Sequence, residues 1–267
     1  MIETGPVFIV DFTIVTLGAF TACMILEMLL PARDGVISVS RWLNNTGLAL
    51  VTYACNHLFG TFVAAFILYR FEPGPFPGLA NTPLWLDISL TFLALELVRY
   101  GTHVAMHKLP VLWRFHAVHH ADNAVDVSTS FRHHPIEALI SAMPLTAVIW
   151  LLGGAPVVLI LYRAWDLIMT VITHTNVDVP IRLERWLRYL TVTPAYHRTH
   201  HLAEKRCTDS NYGACIPWFD YIFSTYQPTT EAQQKFSKIG LDTHTAHEQR
   251  LDGMLCAPLR ERKKDRG

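Results

Sequence analysis

Long apolar stretches alternate with polar segments along the chain, and each stretch is long enough to cross a lipid bilayer. They cover residues 7–30, 47–69, 84–107 and 138–173. A helix of about 20 residues spans the ~30 Å hydrocarbon core. The last stretch is interrupted at Gly153, Gly154 and Pro156, which predicts a hairpin of two helices, either both spanning or one partly re-entrant. The pattern therefore predicts an all-α integral membrane bundle of about four to five helices.

The alternation divides the chain into four regions, and the basic residues orient them. Residues 1–107 are predicted to form N-terminal transmembrane helices, 108–137 a first cytosolic histidine segment, 138–174 a transmembrane hairpin and 175–267 a cytosolic cap and tail. The first stretch lacks a basic leader and a small-residue cleavage site, so we expect a retained helix. Lys and Arg concentrate in 108–137 and after 173, which favours the cytosol for both.

Composition narrows the choice of function. Apolar residues make up 51% of the chain and charged residues only 16%, against roughly 25% in an ordinary soluble domain. The formal net charge is zero, so the basic surplus of a nucleic-acid-binding protein is missing. The five cysteines contain no CxxC pair, and we expect reduced thiols. Nucleic acid is therefore excluded as an expected partner, and the membrane is favoured.

Histidine is unusually frequent, with 14 residues, and most of them fall into three short motifs. An HxxxH pair ends the third apolar stretch at His103 and His107, and two HxxHH motifs follow at 116–120 and 197–201. On a helix, residues three and four apart share a face. The first histidine of each HxxHH motif is therefore expected to face the other two together, offering three nitrogens to one neighbourhood. Imidazoles without thiolates suit iron, zinc, copper or nickel, and argue against a closed structural zinc site.

The dense spacing favours a metal over a structural role for these histidines. Packed imidazoles repel one another when protonated and lose solvation when neutral and unpaired, and a shared cation removes both costs. Isolated histidines are more often interfacial or core residues. We therefore expect His57, His244 and His247 to be bystanders.

With these motifs the sequence resembles the fatty acid hydroxylase/sterol desaturase superfamily of membrane di-iron enzymes, over about residues 96–226. The motifs occur in the family's order: HxxxH, HxxHH, an Arg-x-His-Pro-x-Glu element, a His-x-Asn element, and Thr-Pro before the second HxxHH. An Asn-Tyr-Gly and an aromatic-rich segment with Asp220 follow. The elements between and after the histidine motifs are Arg132, His134, Pro135, Glu137, His174, Asn176, Thr193, Pro194, residues 211–213 and residues 218–226.

The resemblance implies a dinuclear centre, held by nine or ten histidines, that faces the cytosol beneath a helical cap. His133 occupies a variable position of its motif and is not expected to ligate. Metal-bound imidazoles usually donate their other N–H to a carboxylate or carbonyl. Polar residues near the motifs are candidates to surround and support the ligands: Glu96, Arg99, Glu137, Asp166, Asn176, Asp209 and Asp220. The expected ligands are His103, His107, His116, His119, His120, His134, His174, His197, His200 and His201.

The function implied by the resemblance is that of an O2-dependent di-iron oxygenase. It would hydroxylate or desaturate a membrane lipid such as a sterol, a fatty acyl chain, a carotenoid or a lipid headgroup. The sequence contains no flavin or nicotinamide fingerprint and no haem or iron–sulfur motif. Electrons are therefore expected from a ferredoxin or cytochrome b5-like protein with its reductase.

Two other functions stay open at this point. A zinc-dependent membrane hydrolase would use the same imidazoles, but usually places a glutamate beside the metal as in HExxH, and no cluster contains one. A metal transporter or sensor would distribute ionisable residues through several membrane helices, whereas these histidines lie at predicted helix ends. Hydroxylation and desaturation cannot be separated by the motifs, because one centre supports both.

Overall fold

The computed structural model describes residues 6–35, 37–70, 82–152, 156–242 and 245–260, and within these ranges all regular structure is helical. The all-α prediction is confirmed for this part of the chain. Three short 3-10 turns span Val127–Phe131, Ala246–Gln249 and Ala257–Leu259. The α-helices are α1 Pro6–Leu29, α2 Val39–Arg70, α3 Leu84–Lys108, α4 Pro110–His120, α5 Pro135–Leu152, α6 Pro156–His174, α7 Ile181–Leu190, α8 Pro194–His200, α9 Lys205–Thr208, α10 Trp218–Ile222, α11 Glu231–Phe236 and α12 Leu251–Cys256.

The five longest helices coincide with the apolar stretches of the sequence, with the break at Gly153 and Gly154 lying outside the described residues. By length and composition, Pro135–Leu152 is the one helix among the described residues that could cross a membrane, and Leu17–Leu29 is a shorter apolar helix. Asp87, Glu96 and Arg99 lower the hydropathy of the expected span α3. The bundle of four to five membrane helices therefore stays a prediction.

Helix α3 is the central element of the fold. It packs against α4, α5 and α6, while α1 packs against α6 and α2 against α5. Leu95 of α3, Leu145 of α5 and Tyr162 of α6 form one buried apolar cluster between these helices. This packing brings the C-terminal ends of α3 and α6, which carry histidines, towards the same region as α4 and α8.

Helix α2 begins at Val39, eight residues before the apolar stretch that predicted it. Its first turns are polar and bind the loop after α4. The Arg41 guanidinium pairs with Asp122 at 2.8 Å and with Asp126, and Asn45 donates to Asp122 and Ser128. These buried ionic contacts keep the helix ordered ahead of its apolar part and hold the loop that leads to Arg132.

Candidate metal centre

Nine buried or half-buried histidines meet at the junction of α3, α4, α6 and α8, and they form two groups. Within each group, one ring nitrogen of every member lies within 4.8 Å of those of the others. The five-histidine group consists of His103, His107, His116, His120 and His200, and the four-histidine group of His119, His174, His197 and His201.

Each HxxHH motif divides its histidines between the two groups. His116 and His120 of α4 join the five-histidine group, whereas His119 joins the other. The motif at α8 does the reverse, since His197 and His201 join the four-histidine group and His200 crosses over. The expectation that all three nitrogens of a motif serve one neighbourhood is therefore wrong. At about 100° per residue, positions i and i+4 lie 40° apart, but i+3 points roughly 100° away from i+4.

The second nitrogen of most of these rings is held by an acceptor oxygen. His103 Nδ1 lies 2.8 Å from the Tyr212 carbonyl, and His116 Nδ1 lies 2.8 Å from Glu137 Oε1. Backbone carbonyls also hold the Nδ1 atoms of three further rings: His119 at Arg132 (3.2 Å), His174 at Thr170 (2.7 Å) and His200 at Ser210 (2.6 Å). These oxygens accept only, so the proton of each ring is assigned to Nδ1 and the lone pair to Nε2.

The resulting Nε2 lone pairs face one another. His103 Nε2 lies 3.1 Å from His116 Nε2, and His174 Nε2 lies 3.2 Å from His119 Nε2. Two acceptors at this distance cannot form a hydrogen bond, so a cation between them is needed. Two nitrogens bound to one metal ion at about 2.1 Å and a right angle lie about 3.0 Å apart, which fits both pairs.

Other polar atoms in the centre also lack a partner. Nε2 of His107 and Nε2 of His200 are buried and have no hydrogen-bond partner among the described residues. Burial, and after it the neighbouring imidazoles, hold the pKa values of His120, His200 and His201 well below the usual range. The rings are therefore neutral at pH 7, which is the form that binds metal ions. The residues present fit two metal ions.

Two adjacent histidines lie outside both groups. His134 was expected among the ligands, but its Nε2 contacts the Leu255 carbonyl at 3.3 Å and its Nδ1 accepts the Ile136 N–H at 3.2 Å. Both nitrogens of His134 thus contact the backbone, and we propose that it is not a ligand. His133, which was not expected to ligate, stacks on His119 at 4.3 Å between ring centroids.

Three of the polar residues expected around the metal contact other groups instead. Glu96 accepts from the Tyr162 hydroxyl at 2.9 Å and from the backbone N–H groups of Cys215 and Ile216. Arg99 pairs with Asp166 at 2.9 Å. These contacts join α3 to α6 and to the loop before α10, so they position helices and make no hydrogen bond to an imidazole.

Glu137, Asp209 and Asn176 behave differently from one another. Glu137 Oε1 accepts from Nδ1 of both His116 and His133, at 2.8 Å each, so this carboxylate orients a candidate ligand directly. Asp209 Oδ1 lies 3.5 Å from His107 Nδ1 without hydrogen-bond geometry. Asn176 contacts Arg33 through its side chain. Of the three, only Glu137 forms a hydrogen bond with a histidine of the centre.

Asp220 supports the five-histidine group through the backbone that follows α9. Its carboxylate accepts the N–H groups of Tyr212 and Gly213 at 2.8 and 2.7 Å, and the hydroxyls of Tyr196 and Thr225. A Cβ at Gly213 would lie 2.6 Å from the Ile216 carbonyl oxygen, so only glycine fits there. Asp220 therefore fixes the Tyr212 carbonyl that accepts from His103.

Two functional positions were not expected from the sequence. The ring of Tyr212 lies against three rings of the five-histidine group, at 5.1 Å from His107, 5.5 Å from His103 and 5.7 Å from His200. Its hydroxyl is buried without a hydrogen-bond partner among the described residues. Glu27 accepts the N–H groups of Val127 and Asn176 and so ties α1 to the loop after His174. The Asn-Tyr-Gly motif marked Tyr212 without indicating its position, and no pattern marked Glu27.

A helical chain with two buried histidine groups has a candidate metal site of the histidine-rich class. The sequence profile of the fatty acid hydroxylase family matches residues 88–225, just over half of the chain, and all nine clustered histidines lie inside that range. The chain therefore belongs to the fatty acid hydroxylase family.

Several curated proteins are similar to the chain. Very-long-chain aldehyde decarbonylase GL1-4 of Oryza sativa subsp. indica is 25% identical over 183 residues, covering 62% of this chain and 28% of the relative. GL1-1 of the same subspecies is 30% identical over 62% of this chain and 29% of the relative. Alkylglycerol monooxygenase of Xenopus tropicalis is 28% identical over 53% of this chain and 31% of the relative. The matches span less than a third of each relative, and no solved structure matches significantly.

Proposed function

We propose that the chain is an O2-dependent oxygenase that binds two iron ions and hydroxylates or desaturates a membrane lipid. The observation that carries this proposal is the pair of histidine groups in which Nε2 lone pairs face one another at 3.1 and 3.2 Å. When bound, two irons supply the reduction of dioxygen and the oxidation of an unactivated C–H bond. Membership of the fatty acid hydroxylase family supports iron over zinc.

The residues of the chain bind, orient and shield this centre. The five-histidine group would hold one ion and the four-histidine group the other. Carbonyls of Tyr212, Ser210 and Thr170 fix three of the rings, so the Nε2 lone pairs point inward before metal binds. His120, His200 and His201 are almost completely inaccessible to solvent, which keeps bulk water from the centre.

The proposed substrate is a lipid with a long alkyl chain. Two relatives act, by their printed names, on very-long-chain aldehydes and on alkylglycerols. Exposed apolar side chains on α3 and α5, among them Leu93, Leu97 and Met143, would contact lipid if these helices span the membrane. The metal centre lies at the end of α3 that follows those residues, and the basic residues favour the cytosolic side for it. A lipid would then reach the centre from within the bilayer.

Electrons would come from a separate protein of the ferredoxin or cytochrome b5 type. During hydroxylation the hydrocarbon substrate supplies only part of the electrons that reduce dioxygen, so the rest must come from a donor. The sequence carries no flavin, haem or iron–sulfur motif that could serve as that donor. The electron donor is thus a partner class implied by the reaction.

Lipid mass spectrometry under 18O2 tests the proposed function. Cells expressing the wild-type chain are compared with cells expressing His119→Ala, which removes a member of the four-histidine group. We expect a lipid that gains one 18O atom, for hydroxylation, or loses two hydrogens, for desaturation, in the wild type alone. Loss of a carbonyl carbon would indicate the reaction named for the plant relatives. Product formation without O2 by zinc-loaded protein would overturn the proposal in favour of a hydrolase.

A further inference from the structure

Helix α7 directs Glu184 towards the protein and an apolar stripe towards the exterior, while Arg182 and Arg185 are exposed beside that stripe. Glu184 is buried, and its Oε1 accepts from the Thr193 hydroxyl at 2.8 Å and from Arg188 at 2.9 Å. On the side away from Glu184, Trp186 is 74% exposed, and Leu183 and Leu190 are also exposed. An amphipathic helix of a soluble protein directs its apolar stripe to the core. An apolar stripe exposed in this way indicates that lipid or another apolar surface covers α7.

Helix α10 extends this exposed apolar surface. Trp218 donates its indole N–H to the Tyr189 carbonyl at 2.8 Å, and Tyr221 stacks on Tyr189 with ring centroids 5.5 Å apart. Ile222 and Phe223, next to these contacts, are 65% and 54% exposed. We call the combined surface the α7–α10 face, which consists of Leu183, Trp186, Tyr189, Leu190, Ile222 and Phe223.

The α7–α10 face lies at a defined height along the helices that carry the metal centre. Phe223 stacks on Tyr100 with ring centroids 5.5 Å apart, and Tyr100 precedes His103 by one turn of α3. Thr191, just after α7, contacts the sulfur of Met169 at 4.0 Å, five residues before His174 on α6. Five helical residues rise about 7.5 Å. The face is therefore level with the part of α3 and α6 that lies one to two turns before the clustered histidines.

The chemistry of the face matches a lipid surface. Trp186 and Tyr189 are of the types that concentrate at membrane–water interfaces. Arg182 and Arg185 are exposed on α7 beside the apolar residues, so the helix offers positive charge to headgroups. Long arginine side chains can reach headgroups while apolar neighbours enter the acyl region.

We propose that the α7–α10 face lies in the headgroup region of an anionic leaflet and seats the metal centre at a fixed height above the bilayer. The proposal rests on the proposed membrane function. An apolar surface of this kind can also bind a protein, but continuity with α3 and the arginines beside the aromatic residues favour lipid. The arrangement would hold the end of α3, where a lipid would leave the bilayer, at a constant distance from the histidines.

Spin-label accessibility of the full chain in phosphatidylcholine–phosphatidylglycerol vesicles tests the proposal. Labels are placed by Trp186→Cys, Leu190→Cys and Ile222→Cys in a background where the two exposed cysteines are removed as Cys55→Ser and Cys256→Ser. Glu231→Cys, on exposed α11, is the aqueous control, and Met143→Cys, exposed on the candidate membrane helix α5, is the lipid control. We expect the ratio of oxygen to water-soluble nickel collisions at the three test sites to shift from the Glu231 value towards the Met143 value.

The outcomes separate this inference from the proposed function. Test sites that match Glu231 while Met143 is in lipid would overturn the inference and leave the membrane proposal intact. An aqueous Met143 would overturn both. Labels shielded from both reagents would indicate a protein partner and overturn the inference. In vesicles of phosphatidylcholine alone we expect a smaller shift, and an unchanged shift would refute the role of anionic lipid.

Discussion

At the scale of single residues, the acceptor of the second ring N–H decides what each histidine does. His103, His119, His174 and His200 donate Nδ1–H to backbone carbonyls, and their Nε2 atoms face the centre. His134 has the same type of side chain and lies in the Arg-x-His-Pro-x-Glu element, yet both of its nitrogens contact the backbone. Sequence spacing marked eight of the nine clustered histidines and the family resemblance added His174, but neither could exclude His134, because its partner Leu255 lies 121 residues away.

Glu137 is the one carboxylate that accepts a full hydrogen bond from a clustered histidine, among the described residues. We expect Glu137→Ala to free the His116 ring and weaken metal binding by about 10–100-fold. Glu137→Gln retains an acceptor oxygen and is expected to lose less. Competition with a chelator at pH 7 measures the affinity, with exposed Glu231→Ala as the matched control. Equal affinity of Glu137→Ala and wild type would contradict an orienting role.

Asp220 accepts two backbone N–H groups and two hydroxyls while fully buried. Asp220→Asn removes one acceptor oxygen and leaves buried donors unpaired, at a cost of about 1–3 kcal/mol. We expect a lower denaturation midpoint and less bound metal, since the Tyr212 carbonyl would no longer be fixed against His103. The exposed substitution Asp252→Asn serves as the control. Full metal content in a destabilised Asp220→Asn protein would show that Asp220 supports the fold alone.

At the scale of elements, two features determine where the histidines lie: the face of the helix that each one occupies, and the position of the helix ends that carry them. The HxxHH spacing predicted helices at α4 and α8 and a metal on them, but the crossed sharing between two groups depends on how the two helices face each other. That relation is set by long-range packing. The apolar stretches predicted the long helices to within a few residues, except that α2 starts earlier because Arg41 and Asn45 bind the loop after α4. Glu96, Arg99 and Asp166 are expected beside the histidine ligands because the sequence does not show the residues they contact on neighbouring helices.

Helix α8 begins with a cap that also joins it to α7. The Thr193 hydroxyl accepts the Tyr196 N–H at 3.2 Å and donates to Glu184 at 2.8 Å. We expect Thr193→Ala to destabilise the protein by about 1 kcal/mol, because the cap is lost. Thr193→Ser keeps the hydroxyl and is expected to stay near wild type. Thermal unfolding followed by circular dichroism compares the three proteins, and equal midpoints for Ala and wild type would contradict the cap.

At the scale of the whole molecule, the metal centre joins α3, α4, α6 and α8, which are distant in sequence. Its histidines are neutral in the folded chain because burial and neighbouring rings lower the pKa values of His197, His200 and His201. Without metal, the same burial leaves facing lone pairs unsatisfied. Folding and metal binding are therefore expected to be coupled.

Burial of these histidines makes the stability of the metal-free chain depend on pH. The pKa values of buried histidines are lowered on folding, so below about pH 6.5 the unfolded chain binds more protons than the folded chain. Stability is then lost as pH falls, by about 1.4 kcal/mol per pH unit for each such histidine. We expect the denaturation midpoint of chelator-treated protein to drop between pH 7 and pH 5. A constant or rising midpoint would contradict buried neutral imidazoles.

The most direct test of the account is the iron stoichiometry of the purified chain and of single-histidine variants. We expect two iron ions per wild-type chain after anaerobic reconstitution. His107→Ala and His174→Ala remove one member of the five- and the four-histidine group, and each is expected to lower the content towards one. His134→Ala is expected to keep two. A wild-type content of one iron, or loss of iron in His134→Ala equal to that in His174→Ala, would contradict the two-group centre.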